Sequence, residues 1–109
     1  LRNKEWTLEE LMARGEKVYG TSCASCHMPD GNGLPPAFPA LRGSAIVTQD
    51  MPRHIDIVLN GVPGTAMQAF RDQLGEIDLA AVITYERNAW GNETGEIVTP
   101  LQIMETMEQ

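Results

Sequence analysis

Residues 23–27 read Cys-Ala-Ser-Cys-His. Two thiols three positions apart, with an imidazole directly after the second, can support four kinds of chemistry. They can exchange a disulfide with a partner, supply part of a zinc site, close a structural disulfide, or tether a haem. The rest of the chain separates these. A structural zinc ion needs four ligands, yet the only other histidine is His54 and there is no third cysteine. A thioredoxin-like dithiol opens a helix in a strand-rich setting, whereas this motif follows a helical pattern with no strand pattern near it. A plain disulfide leaves His27 without a role. Haem attachment uses all three side chains: Cys23 and Cys26 reach the two vinyl groups along one side of a porphyrin, and His27 points its imidazole at the iron.

A six-coordinate haem needs a second axial ligand, and methionine in that place raises the reduction potential. The candidates downstream of His27 are Met28, Met51, His54, Met67, Met104 and Met107. Met28 adjoins His27 and cannot cross the ring. Met51 and His54 flank a helix start, where packing or solvent is their commoner fate, and Met104 and Met107 lie in a tail. Met67 sits 40 residues after His27 in a loop containing Gly and Pro. A loop residue can be aimed at the open haem face without breaking a helix, so Met67 leads. His27 should also donate its second ring N–H to a carbonyl. The carbonyls of Pro35, Pro36 and Pro39 are the candidates, and Arg42 is placed in sequence to meet a haem propionate.

These residues need elements to hold them. Thr7 and Glu10 form a T-x-x-E capping box. After it, Leu8, Leu11, Met12, Gly15, Val18 and Tyr19 recur at helical spacing, with Gly15 suited to the close approach of another helix. Residues 28–43, rich in Gly and Pro, read as a loop that something must fill. Asp50, Pro52 and Asn60-Gly61 mark the start and stop of a short helix with Ile55, Val58 and Leu59 facing inward. A second loop spans 62–70. The segment from Glu76 reads as an amphipathic helix through Leu79, Val82, Ile83, Glu86/Arg87 and Trp90, closed by Gly91. Thr99, Pro100 and Gln102 signal a short final helix. The expectation is three helices or four, joined by two loops, with no repeat and no persistent strand.

The bulk properties agree with this architecture. A chain of 109 residues makes one small domain, taken as residues 1–109 with a core of about 7–98 and an extension at 99–109. Its core is modest, so a large apolar cofactor would help it. The net charge of −7 argues against nucleic acid and against an anionic membrane surface. No apolar run approaches the roughly 18 residues that span a bilayer. The polar opening LRNKEW reads as a mature or excised piece of a longer precursor.

The stretches GEKVYGTSCASCHMPDGNGLPPAFPAL, GTAMQAF and IDLAAVITYERNAWGN, in that order, resemble class I cytochrome c. The resemblance covers about residues 7–98. It implies an all-α fold of three core helices, plus short helices and loops, around one covalent haem c, with Cys23, Cys26, His27 and Met67 binding the cofactor and His27 and Met67 on the iron. It also implies that the first and last core helices cross closely, with Gly15 and Tyr19 against Val82 and Tyr85. KEWTLEELMARGEKVY, HIDIVLNGVPGTAMQAF and VITYERNAWGNETGEIVTP are similar to the cytochrome c domain fused to the C-terminus of subunit II in some bacterial haem-copper oxidases. One departure from many class I relatives is Gln68, where a proline commonly follows the methionine. The narrower resemblance implies one-electron transfer from a periplasmic donor to the dinuclear copper centre, with the domain on the periplasmic side of the inner membrane in a membrane-anchored parent. The competing expectations are a free-standing periplasmic cytochrome, the haem domain of a dehydrogenase, or a haem ligand-binding or peroxidase-like protein.

Overall fold

The computed structural model describes residues 4–108. Six helices follow one another: α1 (Leu8–Ser22), α2 (Ala24–His27), α3 (Ala45–Gln49), α4 (Met51–Asn60), α5 (Glu76–Asn88) and α6 (Pro100–Met107). Among the described residues the only β pairing is an isolated bridge between Leu34 and Phe38.

The start and stop signals act as expected. Thr7 accepts the Glu10 N–H at 3.1 Å while the Glu10 carboxylate accepts the Thr7 N–H at 3.0 Å. Asp50 accepts the Arg53 N–H at 3.1 Å to start α4, and Gly61, at φ 70°, ends it. Thr99 and Gln102 cap α6 reciprocally. Five-residue α3 was not anticipated; its cap is Ser44, whose hydroxyl accepts the Val47 N–H.

Helix α1 packs mainly on α5, and α4 and α6 also lie against α5. Leu11, Gly15 and Tyr19 form the buried stripe of α1, whereas Leu8 is exposed. The crossing is tightest at Gly15. A Cβ there would collide with the Ala81 carbonyl and stand 2.6 Å from the Tyr85 Cβ, so Gly15 itself meets Ala81 and Tyr85, while Tyr19 and Val82 share the buried core. Real Cβ atoms do not approach that closely, and only glycine lets the helices meet.

Helix α5 is not amphipathic. Leu79, Ala80, Ala81, Val82, Ile83, Thr84, Glu86 and Arg87 are all buried. The expected solvent face is covered by the segment returning from the helix end. The Thr84 hydroxyl accepts the Val98 N–H at 2.9 Å, and Arg87 donates to the Val47 carbonyl at 2.7 Å and to Glu96 at 2.5 Å. Helix α6 adds Ile103 to the core.

The helix also ends sooner than expected. It stops at Asn88, and residues Ala89–Gly91 make a 3-10 turn in which Trp90 has φ 57°. The break lets the indole leave the helical face. It packs on Tyr19 and Tyr85 at 5.0 and 5.5 Å between centroids and donates to the Pro29 carbonyl at 2.9 Å. Gly31, at φ +73°, lies flat beneath it: a Cβ there would come within 2.6 Å of the indole ring.

Candidate haem site

Cys23 ends α1, donating its N–H to the Tyr19 carbonyl at 2.9 Å, and then starts the single turn of α2. That turn places Cys23, Cys26 and His27 along one wall. His27 donates its N–H to the Cys23 carbonyl at 3.0 Å. The chain then reverses at Met28, which adopts φ 67° and whose carbonyl accepts the Tyr19 hydroxyl at 2.6 Å. Burial pushes the Cys23 thiol up, and the nearby Glu86 carboxylate adds to the shift. An attacking redox thiol is normally shifted the other way, toward the thiolate.

The 28–43 loop returns to the same turn. Gly33 donates to the His27 carbonyl at 2.9 Å, and Leu41 and Arg42 donate to the Gly31 carbonyl at 2.7 and 3.0 Å. The result is that His27 Nδ1 lies 2.9 Å from the Pro39 carbonyl. A carbonyl can only accept, so Nδ1 carries the proton and Nε2 keeps its lone pair for a metal. Of the three candidate carbonyls, Pro39 is the one used. Arg42 is exposed and lies outside the cavity lining.

Met67 reaches the site from the other side. Its carbonyl accepts the Val62 N–H at 3.0 Å, and its own N–H donates to the Thr65 hydroxyl at 3.1 Å. Gly61 has no room for a side chain, since a Cβ would stand 2.6 Å from the Met67 carbonyl. Downstream, Phe70 and Arg71 donate to the Val58 and Leu59 carbonyls at 3.0 and 3.1 Å. The loop is therefore tied to the end of α4 on both sides. Gln68, the departure from the class I pattern, accepts from Gln73 Nε2 at 2.9 Å, and the same nitrogen donates to the Ala69 carbonyl at 2.7 Å.

Between these walls lies a cavity of about 400 Å³ lined by Cys23, Cys26, His27 and Met67 together with Pro39, Leu41, Val47, Val58 and Phe70. Its lining is mostly apolar, as a porphyrin face requires. Met28, Met51, Met104 and Met107 do not line it.

A family model described as "Cytochrome C oxidase, cbb3-type, subunit III" matches residues 10–85. The chain belongs to the cytochrome c family. Cytochrome c-552 of Thermus thermophilus is 34% identical over 94 residues, covering 73% of this chain and 70% of that protein. The cytochrome c subunit of the quinone alcohol dehydrogenase of Gluconobacter oxydans (strain 621H) is 33% identical over 99 residues, 82% of this chain. The gluconate 2-dehydrogenase cytochrome c subunit of Pantoea cypripedii is 34% identical over 96 residues, 78% of this chain. The chain spans only 21% and 22% of those two dehydrogenase subunits. A cytochrome c is an electron carrier whose cofactor is covalent haem c, and the cavity fits that group: two thiols on one edge, an oriented imidazole on one wall and a thioether on another. Among the described residues, no helix is long and apolar enough to cross a membrane.

The pairing of two residues of the cavity wall has no counterpart in the sequence pattern. His54, an axial-ligand candidate for which packing or solvent is the commoner fate, and Glu86, assigned to an amphipathic face, are both buried and joined, with Nε2 and Oε1 2.7 Å apart. Asn92 braces the same region: its amide donates to the Glu86 and Leu41 carbonyls at 2.8 and 3.2 Å and its oxygen accepts the Gly43 N–H at 2.8 Å, tying the 28–43 loop to the end of α5.

Proposed function

We propose that Cys23 and Cys26 tether the haem, that His27 Nε2 and Met67 Sδ hold its iron, and that the domain relays single electrons to the dinuclear copper centre of a terminal haem-copper oxidase. The observation that carries the ligand assignment is the convergence of all four side chains on one apolar cavity, with His27 already held in the metal-binding tautomer by Pro39. When bound, the haem supplies a one-electron ferric/ferrous couple. Cys23 and Cys26 keep it from leaving, so His27 stays in register with it. With His27 and Met67 both holding the group, no position would be left for an outside ligand, which opposes the ligand-binding and peroxidase-like alternative. Both residues are braced by backbone hydrogen bonds, so little need move when charge changes.

The oxidase assignment rests on the likeness of residues 4–19, 54–70 and 82–100 to the domain fused to subunit II. In that setting the domain stands on the periplasmic side, as one unit with its core at 7–98 and an extension at 99–109. The exposed Ala66 and Ala69 flank Met67 and suit weak, transient docking of a redox partner. A second reading, an electron-transfer module of a dehydrogenase, is favoured by the alcohol and gluconate dehydrogenase subunits among its relatives. Stopped-flow mixing separates the two. The reduced domain should pass electrons to an oxidase copper-domain fragment much faster than the oxidised domain accepts them from the catalytic subunit of a quinone dehydrogenase. The reverse order of rates would sink the oxidase assignment and leave electron transfer itself intact.

A further inference from the structure

We infer that the buried His54–Glu86 pair is a proton-exchanging site coupled to the haem, so that reduction of the domain is accompanied by proton uptake at His54. The inference rests on the haem occupying the cavity described above. His54 and Glu86 are 3% and 4% exposed. They come from different helices, α4 and α5, and both line the cavity. Apart from the Cys-Ala-Ser-Cys-His motif itself, they are its titratable side chains.

Stability does not explain them. A buried ion pair can be replaced by apolar residues of similar volume without loss, and the surrounding wall of Val47, Val58 and Phe70 is of that kind. What an apolar pair cannot do is change charge. The Glu86 carboxylate accepts from His54 Nε2–H at 2.7 Å, while His54 Nδ1 is buried and has no hydrogen-bond partner among the described residues. That nitrogen can take a proton without breaking the bond to Glu86. Imidazole is the side chain whose charge changes near neutral pH.

The balance is simple. The electron comes from the redox donor and one proton from water. The only bond formed is N–H at His54 Nδ1, and the same proton returns to water on oxidation. The added negative charge of reduction favours the imidazolium, and the imidazolium favours the reduced state. Charges within one low-dielectric cavity couple strongly enough to move the redox equilibrium by roughly tenfold.

The neighbouring ionisable groups do not replace the pair. Tyr19, facing it from α1, is held neutral because burial and the Glu86 charge both push its hydroxyl up. Cys23, at the end of α1, carries no ionisable thiol once it is a thioether. Arg87, next on α5, is bound to the Val47 carbonyl and Glu96. On α4, Arg53 and Asp56 are paired with each other at the surface, and Asp50 caps the helix.

The test is the ferric/ferrous equilibrium of the holoprotein at several pH values. In the wild type the ratio at fixed ambient potential should shift roughly tenfold toward ferric from the acid to the alkaline end of the pH series. The double variant His54→Leu/Glu86→Leu fills the site with apolar groups and should shift less than about twofold. Haem propionates are unchanged in that variant, so a wild-type pH dependence there would overturn the inference. The second measurement is the redox-difference infrared spectrum. It should contain imidazole and carboxylate bands that the double variant lacks, beside those of His27 and the propionates that both proteins share; identical imidazole bands in wild type and double variant would overturn it equally. The haem absorption spectrum of each variant monitors the ligand assignment separately: an altered axial-ligand signature in the wild type would contradict the proposed site, whereas a normal one with flat pH dependence contradicts only the proton linkage.

Discussion

The Pro39 carbonyl oxygen lies 2.9 Å from His27 Nδ1, and Gly33 is the residue that lets it stand there. At φ +60°, Gly33 faces the Phe38 and Pro39 carbonyls, and a Cβ would come within 2.6 Å of the Pro39 oxygen. Gly33→Ala should therefore displace that oxygen. Left-handed strain and the clash together should cost about 1–3 kcal/mol of stability. With His27 as the proposed iron ligand, a weaker Nδ1–H···O bond would make it a poorer donor, so the reduction potential should rise. Denaturant unfolding and a spectroelectrochemical titration check the two effects.

Gly15→Ala should destabilise the protein through the α1–α5 crossing. Alanine gains about 1 kcal/mol of helix propensity over glycine, but its methyl would meet the Ala81 backbone, which cannot yield as a flexible side chain does. Overpacking of this kind costs about 1–3 kcal/mol, so the sum is a loss, seen as a lower midpoint in denaturant with the haem spectrum preserved. Gly20→Ala on the same helix, where a Cβ meets nothing within 4 Å, should be neutral or stabilising.

Asn92→Ala should loosen the loop that carries Pro39. It removes two donated bonds and one accepted bond joining Leu41, Gly43 and Glu86. At about 1 kcal/mol for each bond, the loss is roughly 2–3 kcal/mol. Amide hydrogen exchange should show lost protection at Leu41 and Gly43 before the helices are affected.

Alkaline pH should weaken the fold through Tyr19. Burial, with the Glu86 charge second, raises its hydroxyl above the ordinary tyrosine value. The neutral phenol is the form that the fold holds. Its contribution is whole below about pH 10, where unfolded tyrosine begins to ionise, and declines above it. Tyr19→Phe removes the bond to the Met28 carbonyl and should cost about 1–2 kcal/mol at neutral pH. That deficit should shrink by about 1.4 kcal/mol by pH 11, because the variant has no phenol to ionise in the unfolded chain. Urea unfolding of both proteins at pH 8 and pH 11 measures it.

Local signals in the sequence carried the parts that local chemistry decides. Thr7, Asp50 and Thr99 cap their helices because a side-chain oxygen three residues before a free N–H needs no tertiary context. The Cys-Ala-Ser-Cys-His turn is legible for the same reason. Context decided the rest. Glu86 and Arg87 look like the polar side of an amphipathic helix until His54 of α4 meets the one and the returning Glu96 meets the other. Trp90 fits the helical period, yet the indole is held instead by Tyr19, Tyr85 and the Pro29 carbonyl, at the cost of a left-handed residue. His54 can be singled out as a possible ligand, but nothing local marks its pairing with Glu86, which is 32 positions away on another helix.

The central claim is that Met67 holds the iron opposite His27. The direct measurement is the ferric absorption spectrum of Met67→Ala beside the wild type. The sulfur-to-iron charge-transfer band should be present in the wild type and absent in the variant, with the variant's potential lowered by loss of the thioether and its reduced form binding carbon monoxide. A charge-transfer band that survives in Met67→Ala would contradict the assignment.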